Sequence, residues 1–299
     1  MRPIYNLIVV FLALLIVITA VFKSKVPDAY PILATYAVLL TALTLLISLQ
    51  KRNNSKLVEM TCDIIFPVAA VMLIFNSLGG LVHNINSLTY DHVLIRLDYM
   101  LFGMHPTVAL ERFTTPVLTE ILQFAYASYY FLPVILGVTL KMEGKEAEFH
   151  RSVFLIILCF FLSYIGYILV PALGPRYTLN HLQSVELHGI FLRDVINDTL
   201  NSLEGIKLDA FPSGHTAVTL TVVYLAYRFQ KTLLRIFLPL ALALVISTVY
   251  LRYHYVVDVL AGILLFMFTI YIGEKYYNWW ERKNSSHAKE WSSLFNERS

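Results

Sequence analysis

The chain has 299 residues, 58% of them hydrophobic and only 14% charged, where a soluble domain carries about a quarter. Its formal charge of +3 is small and its basic residues are scattered, which argues against nucleic acid as a partner. The apolar residues fall in blocks rather than at amphipathic spacing, so the expected fold class is all-α, a polytopic bundle of transmembrane helices.

The first apolar run, 4–22, follows Arg2 and exceeds the ~7–15-residue core of a signal peptide; with a second run close behind at 30–50, it reads as a retained helix. These two spans make up an N-terminal part, 1–57. A larger core, 58–275, holds runs at 58–82, 116–140, 152–171, 214–230, 233–251 and 255–273. A span needs about 20 residues, so 214–230 and 233–251 are short. The expected count is eight spans, with seven as the alternative. Cys62 and Cys159 lie inside apolar runs and read as core fillers, not as a disulfide or metal site. Tyr276, Tyr277, Trp279 and Trp280 fit an interfacial belt. Beyond Trp280 the chain turns polar, and 276–299 reads as a loose cytoplasmic tail.

Alternating eight spans across a membrane puts fifteen of the 23 Lys and Arg on the side of the termini, which is therefore expected to be cytoplasmic. The loops 83–115, 172–213 and 252–254 then emerge together on the outer face. Asp91, Arg96 and Asp98 in the first of these suggest an interfacial helix or lid, with capping and solvation explaining them equally well. His83, His92 and His105 read as solvated loop residues. Asn197 and Thr199 form a glycosylation sequon.

His254 and Asp258 are four apart where the last run begins, hence on one helix face. An Asp at a membrane edge is costly unless paired or facing a polar cavity, and a carboxylate beside a histidine fixes its tautomer. The plainer reading is a pair that satisfies itself. In "PSGH", Pro212 to His215, a tight turn opens directly into an apolar run. A helix N-terminus there offers the Gly214 and His215 N–H groups to an anion, with the Ser213 hydroxyl beside them. An ordinary serine N-cap explains the same residues. In "PALGPRYT", Pro171, Gly174 and Pro175 break the preceding run and leave Arg176 at the interface. Its fork suits a phosphate, and snorkelling to water explains it as well.

Together these residues resemble the type 2 phosphatidic acid phosphatase (PAP2) superfamily, whose motifs run roughly K-x6-RP, PSGH and SR-x5-H-x3-D. "PSGH" matches in full, and Ser247, His254 and Asp258 fall in register in the third motif, over about 60–273. The departures are Leu169 for the lysine, Tyr177 for the proline and Thr248 for the arginine. Arg252 stands near enough to be considered as a replacement cation. "RLDYMLFGMHPT" and "YASYYFLP" resemble segments of the inositol phosphorylceramide synthase branch, which transfers a phospho-head group between lipids.

The resemblance implies that His254 attacks phosphorus with Asp258 holding its ring, that His215 serves the leaving and accepting oxygens, and that Arg176, Ser213, Gly214 and Arg252 bind phosphate. It implies no metal and no cofactor. The partners are the bilayer, a phospholipid or isoprenoid phosphate substrate, and an acceptor such as diacylglycerol or ceramide if the reaction is a transfer. The expected location is a bacterial inner membrane with the site on the external face. A zinc site on His215, His254 and Asp258 leaves Arg176 and the PSGH turn unexplained. Proton-relaying transporters place such groups nearer midplane, and the missing cations keep a catalytically inactive lipid binder in play.

Overall fold

The structure is a computed structural model that describes residues 2–53, 55–203 and 205–296, and the described residues form helices and loops without a strand. Helix α1 (Pro3–Val21) packs on α2 (Ala29–Arg52). A short helix Lys56–Met60 and a π-helical turn Thr61–Ile65 lead without a break into α3 (Phe66–Ile85). Helix α4 (Asp91–Phe102) is short and polar-faced, and α5 (Pro116–Ala127) and α6 (Leu132–Met142) follow. Helix α7 (Glu146–Leu169) precedes a long loop that carries α8 (Arg193–Leu203). The chain closes with α9 (Gly214–Phe229), α10 (Lys231–Tyr250) and α11 (Val256–Asn296).

The chain is thus an all-helical, multi-pass membrane protein. Among the described residues, six helices are long and apolar enough to cross a bilayer, and a seventh span arises if the pair 116–130 and 132–142, bent by 50°, is one crossing. The remaining run expected to span, 214–230, is a helix of 16 residues. At 1.5 Å per residue it covers about 24 Å of a hydrocarbon core near 30 Å. The expected loose tail is helical as far as Asn296, and no Gly or Pro interrupts it.

Helix α7 runs through the middle and touches α1, α3, α6, α9 and α11. Ile157, Phe161 and Tyr164 join α1–α3 in one apolar core, and Phe154, Leu155 and Cys159 join α6, α9, α10 and α11 in another. Both cysteines are buried and unpaired. At the termini end, the fully buried Asp63 carboxylate on the π turn is paired with Arg2 and, at 2.8 Å, with Lys141. Lys141 also reaches Glu59 at 2.7 Å and Glu146 at 3.2 Å. These ion pairs tie α1, the π turn, α6 and α7 together. A lone buried carboxylate would cost several kcal/mol, which the two cations offset.

At the opposite, loop-rich end, α4 acts as a brace. Asp91 and Asp98 lie seven residues apart on its buried face, 4% and 2% exposed. The Asp91 carboxylate accepts the N–H groups of Leu173 (3.0 Å) and Gly174 (2.9 Å) and the Tyr255 hydroxyl (2.9 Å). Asp98 accepts the N–H groups of Val256 (3.0 Å) and Val257 (2.9 Å), the first two residues of α11. It is an N-cap supplied from another helix. Asp98→Ala strands two buried donors, and the loss is expected to be about 2 kcal/mol. Thermal unfolding in detergent should show a Tm lower by several degrees, with Asp98→Asn less affected because one oxygen still accepts; an unchanged Tm for Asp98→Ala would refute the brace.

Candidate active site

The loop 170–175 turns at Gly174, whose φ of 89° lies in the left-handed region that favours glycine and whose α-carbon packs on the Tyr253 carbonyl. This turn sets Arg176, whose N–H donates to the Arg252 carbonyl at 2.8 Å. The 208–213 loop lies against it, the Ala210 N–H donating to the Ala172 carbonyl at 3.1 Å. The third loop is fixed by the Thr248 carbonyl, which accepts the N–H groups of Tyr253 (3.0 Å) and His254 (2.9 Å). Ser213 N–H donates to the Asp258 carbonyl at 3.0 Å, joining the last two loops. Three segments remote in sequence thus share one hydrogen-bonded frame.

Within that frame the two histidines meet. His254 is 3% exposed, and its Nδ1 donates to the Ala210 carbonyl at 2.8 Å, so the unprotonated ring nitrogen is Nε2. Nε2 faces His215 Nδ1 at 3.5 Å. Burial pushes the His254 pKa down from 6.5 to about 4; the Asp209 charge and the Ala210 carbonyl oppose this and Arg176 adds to it. Asp258 lies at 3.6 Å from Nδ1, and its Oδ2 accepts the Tyr255 N–H at 2.8 Å. The nearest group orienting the ring is therefore a backbone carbonyl, with the Asp258 carboxylate behind it.

His215 stands at the head of α9. The Ser213 hydroxyl caps this helix by accepting from Thr216 N (3.3 Å) and Thr216 Oγ1 (3.1 Å), which leaves its own proton to give. The N–H groups of Gly214 and His215 fall in the first turn, outside the helix's own ladder. A Cβ on Gly214 would overlap the Tyr167 hydroxyl, so only glycine fits.

The His215 ring is sandwiched between Tyr126 (4.4 Å) and Tyr129 (4.2 Å). Tyr126 stacks in turn on Tyr253 (4.3 Å, 14°), and the Arg176 guanidinium lies over the Tyr253 ring at 4.7 Å. A continuous column, Arg176–Tyr253–Tyr126–His215–Tyr129, connects the arginine to the histidine. Each cation–π or ring contact adds roughly 0.5–1.5 kcal/mol beyond area burial.

On one side of the column lies an apolar chamber of about 600 Å³ between α3, α6 and α7. His215, Asp209 and Tyr129 border one end, and Asp63 and Phe149 the other. His215 Nε2 is buried there without a partner among the described residues. Phe149 and Tyr167 are eighteen residues apart on α7, so the chamber follows about 27 Å of that helix, close to the ~30 Å hydrocarbon thickness.

The other candidate positions fall elsewhere. Arg252, at a left-handed φ of 66°, donates to Glu111 at 3.0 Å and to the Val185 carbonyl, so its charge is committed to holding the loop after α7. Leu169 is 64% exposed on the lipid-facing side, and Thr248 is fully buried with its hydroxyl on the Val245 carbonyl. Asn197 accepts the Tyr253 hydroxyl at 2.9 Å, so its amide is part of the loop packing.

For a metal, His215 and Asp258 lie on opposite nitrogens of the His254 ring and do not converge. The described residues hold one cluster with donor atoms in range, Asp63, Glu146 and His150, and there the Lys141 ammonium already bridges Asp63 and Glu146. The sequence reading gave no role to Asp209, Tyr126, Tyr129, Tyr253 or the Ala210 carbonyl. Tyr126 and Tyr129 lay within a stretch quoted for its resemblance, whereas Asp209 carried no spacing signal.

A PA-phosphatase related-family protein of Dictyostelium discoideum is 25% identical over 222 residues, which take in 63% of this chain and 40% of that relative. No solved structure matches the chain. The family model described as PAP2 superfamily matches residues 92–272, a stretch that contains α4 from its second residue, both His215 and His254, and Asp258. The chain belongs to the PAP2 superfamily.

Proposed function

We propose that the protein breaks a phosphate ester of a membrane lipid through a phosphohistidine on His254. One observation carries the reading: the lone pair of His254 Nε2 points at His215 Nδ1 across 3.5 Å while its Nδ1 is tied to the Ala210 carbonyl, at the head of a chamber sized for a lipid chain. His254 Nε2 attacks phosphorus, the P–O bond to the leaving oxygen breaks, and His215 gives that oxygen a proton. Water or an alcohol then gives a proton to His215 and attacks the phosphohistidine. The P–N bond breaks and the lone pair returns to Nε2. Arg176, the Ser213 hydroxyl and the N–H groups of Gly214 and His215 are the candidate donors for charge on the non-bridging oxygens. Asp258 serves as a positioning residue behind the ring. With the termini cytoplasmic, this end of the bundle faces outward and the lipid chain enters from the outer leaflet.

A second reading, transfer of a phospho-head group to an acceptor such as diacylglycerol or ceramide, has its own support. The positions of two family cations hold Leu169 and Thr248, and Arg252 is paired with Glu111. A site with fewer cations suits the single charge of a phosphodiester better than the double charge of a monoester.

Purified protein in detergent, given a panel of lipid phosphates and phosphodiesters with and without acceptor, separates the two readings. Free phosphate indicates hydrolysis, and a new phospholipid formed only with acceptor indicates transfer. His254→Ala should lower either activity by about 10⁴-fold or more, and His215→Ala by about 10²–10⁴-fold. Acid-labile, base-stable label from the substrate phosphate should appear on wild type and not on His254→Ala. Turnover undiminished in His254→Ala would sink the mechanism.

The His254 pKa sets a pH profile. Nε2 attacks only when unprotonated, and a pKa lowered from 6.5 to about 4 keeps it so as the pH falls. On a phosphodiester, whose own charge is constant in this range, the acid limb of kcat/KM should therefore lie below 6.5. An acid limb at or above 6.5 on such a substrate would contradict a buried, neutral nucleophile.

A further inference from the structure

The apolar chamber beside His215 is not closed on every side. Its wall on α7 is buried, Ile157 and Tyr164 included. Its other two walls belong to α3 and α6, and α3 packs on α2 and α7 while α6 packs on α7 and α9. Val68, Met72 and Asn76 lie four apart on α3, hence in one stripe. All three line the chamber and are also exposed on the outside of the bundle. Phe131, Val134 and Val138 do the same on the α6 side. Side chains that border a cavity and the exterior at once form a rim, so a slot leads between α3 and α6 into the chamber. From Val68 to Asn76 it follows about 12 Å of helix.

The slot is bounded at both ends. At the termini end, Lys141 lies one turn beyond Val138 on α6 and is paired at 2.8 Å with Asp63, which precedes α3. This ion pair ties the two walls together below Val68. At the loop-rich end, the Asn76 amide lies so close to Gly205 that a Cβ there would sit 3.1 Å from its oxygen. The opening therefore faces the hydrocarbon zone of the bilayer and neither of its polar surfaces.

The dimensions select the occupant. Spread along the ~27 Å of α7 that it follows, a volume of about 600 Å³ has room for one hydrocarbon chain but not for two abreast. An α-helix, about 10 Å across, does not fit. A chain already in lipid gains no hydrophobic free energy by moving into an apolar cavity, whereas drawing it through water is costly for every methylene. The path of entry must then stay within hydrocarbon from start to finish, which the slot allows. We propose that the slot between α3 and α6 is the port through which a single hydrocarbon chain of the substrate slides sideways into the chamber, while any second chain of the same lipid stays outside in the bilayer. The proposal rests on the lipid-phosphate reading of the site and adds to it how the lipid is held: by one chain, with the other free.

The test plugs the slot after the protein has folded. Met72→Cys and Val134→Cys in the full chain are each assayed before and after reaction with a bulky apolar maleimide. The native Cys62 and Cys159 are buried, so wild type serves as the reagent control, and Leu242→Cys, exposed on α10 away from the chamber, as the labelling control. Labelling at either rim position should lower kcat/KM at least tenfold for phosphatidic acid and for its one-chain lyso form alike. Chainless phenyl phosphate and its methyl diester should be turned over as before, and labelled Leu242→Cys should match wild type on every substrate. Binding is read separately with a lipid phosphate that carries a diazirine midway along one chain. Its adducts should fall on the slot rim and on the buried α7 wall at Val153 and Ile157, and the rim label should remove the α7 adducts. Lipid turnover unaffected by label at both rim positions, equal loss on the chainless esters, or adducts confined to the outer faces of α10 and α11 would overturn the proposal, even with His254-dependent turnover intact. Adducts on the α7 wall in a protein that turns over none of these esters would uphold the port and defeat the catalytic reading instead.

Discussion

Carboxylates that accept backbone N–H groups hold the loop-rich end of this bundle together. A membrane helix satisfies its own backbone, but loops at the membrane edge have donors that neither lipid nor a neighbouring strand can take. Asp91 and Asp98 on α4 meet this need for the 172–176 and 255–258 segments, and Glu111 and Glu120 meet it for the loop after α7. Charge-assisted bonds of this kind are stronger than neutral ones. With them in place, Arg176, His215 and His254 are brought together by backbone geometry and not by direct contact among their side chains alone.

The chemistry of the site follows from which atoms these loops leave open. The Ala210 carbonyl occupies Nδ1 of His254, so the free ring lone pair is on Nε2, towards His215. His215 is clamped between two tyrosine rings and presents its other nitrogen to the apolar chamber. The departures from the family's motifs have structural roles of their own. Thr248 is turned into its own helix, and Arg252 is paired with Glu111 and holds the Val185 carbonyl of the loop after α7.

Much of the fold was legible in the sequence because blocks of apolar residues report burial in lipid directly. Six of the expected spans appear as long apolar helices, and the bent pair α5–α6 and the 16-residue α9 are where counting by hydropathy is least secure. The bend in the pair is set by a break of chain geometry around Phe131, which a hydropathy window averages away. The same averaging left α4 outside the spans, as an interfacial helix or lid. Its role lies in two acids on one helical face, and their partners are more than eighty and about one hundred and sixty residues away.

The sequence by itself determined the membrane-embedded helical class, the family, and the identity of His215, His254, Asp258 and Arg176 as the residues to watch, because residue type and local spacing carry those properties. Only the tertiary structure decided which of them touch. It made the Ala210 carbonyl the first orienter of His254, put Asp258 behind it, paired Arg252 with Glu111, and brought in Tyr126, Tyr129, Tyr253 and Asp209. Those outcomes depend on loops packed against helices distant in the chain, and no local pattern of residues encodes a distance between segments that meet only after folding.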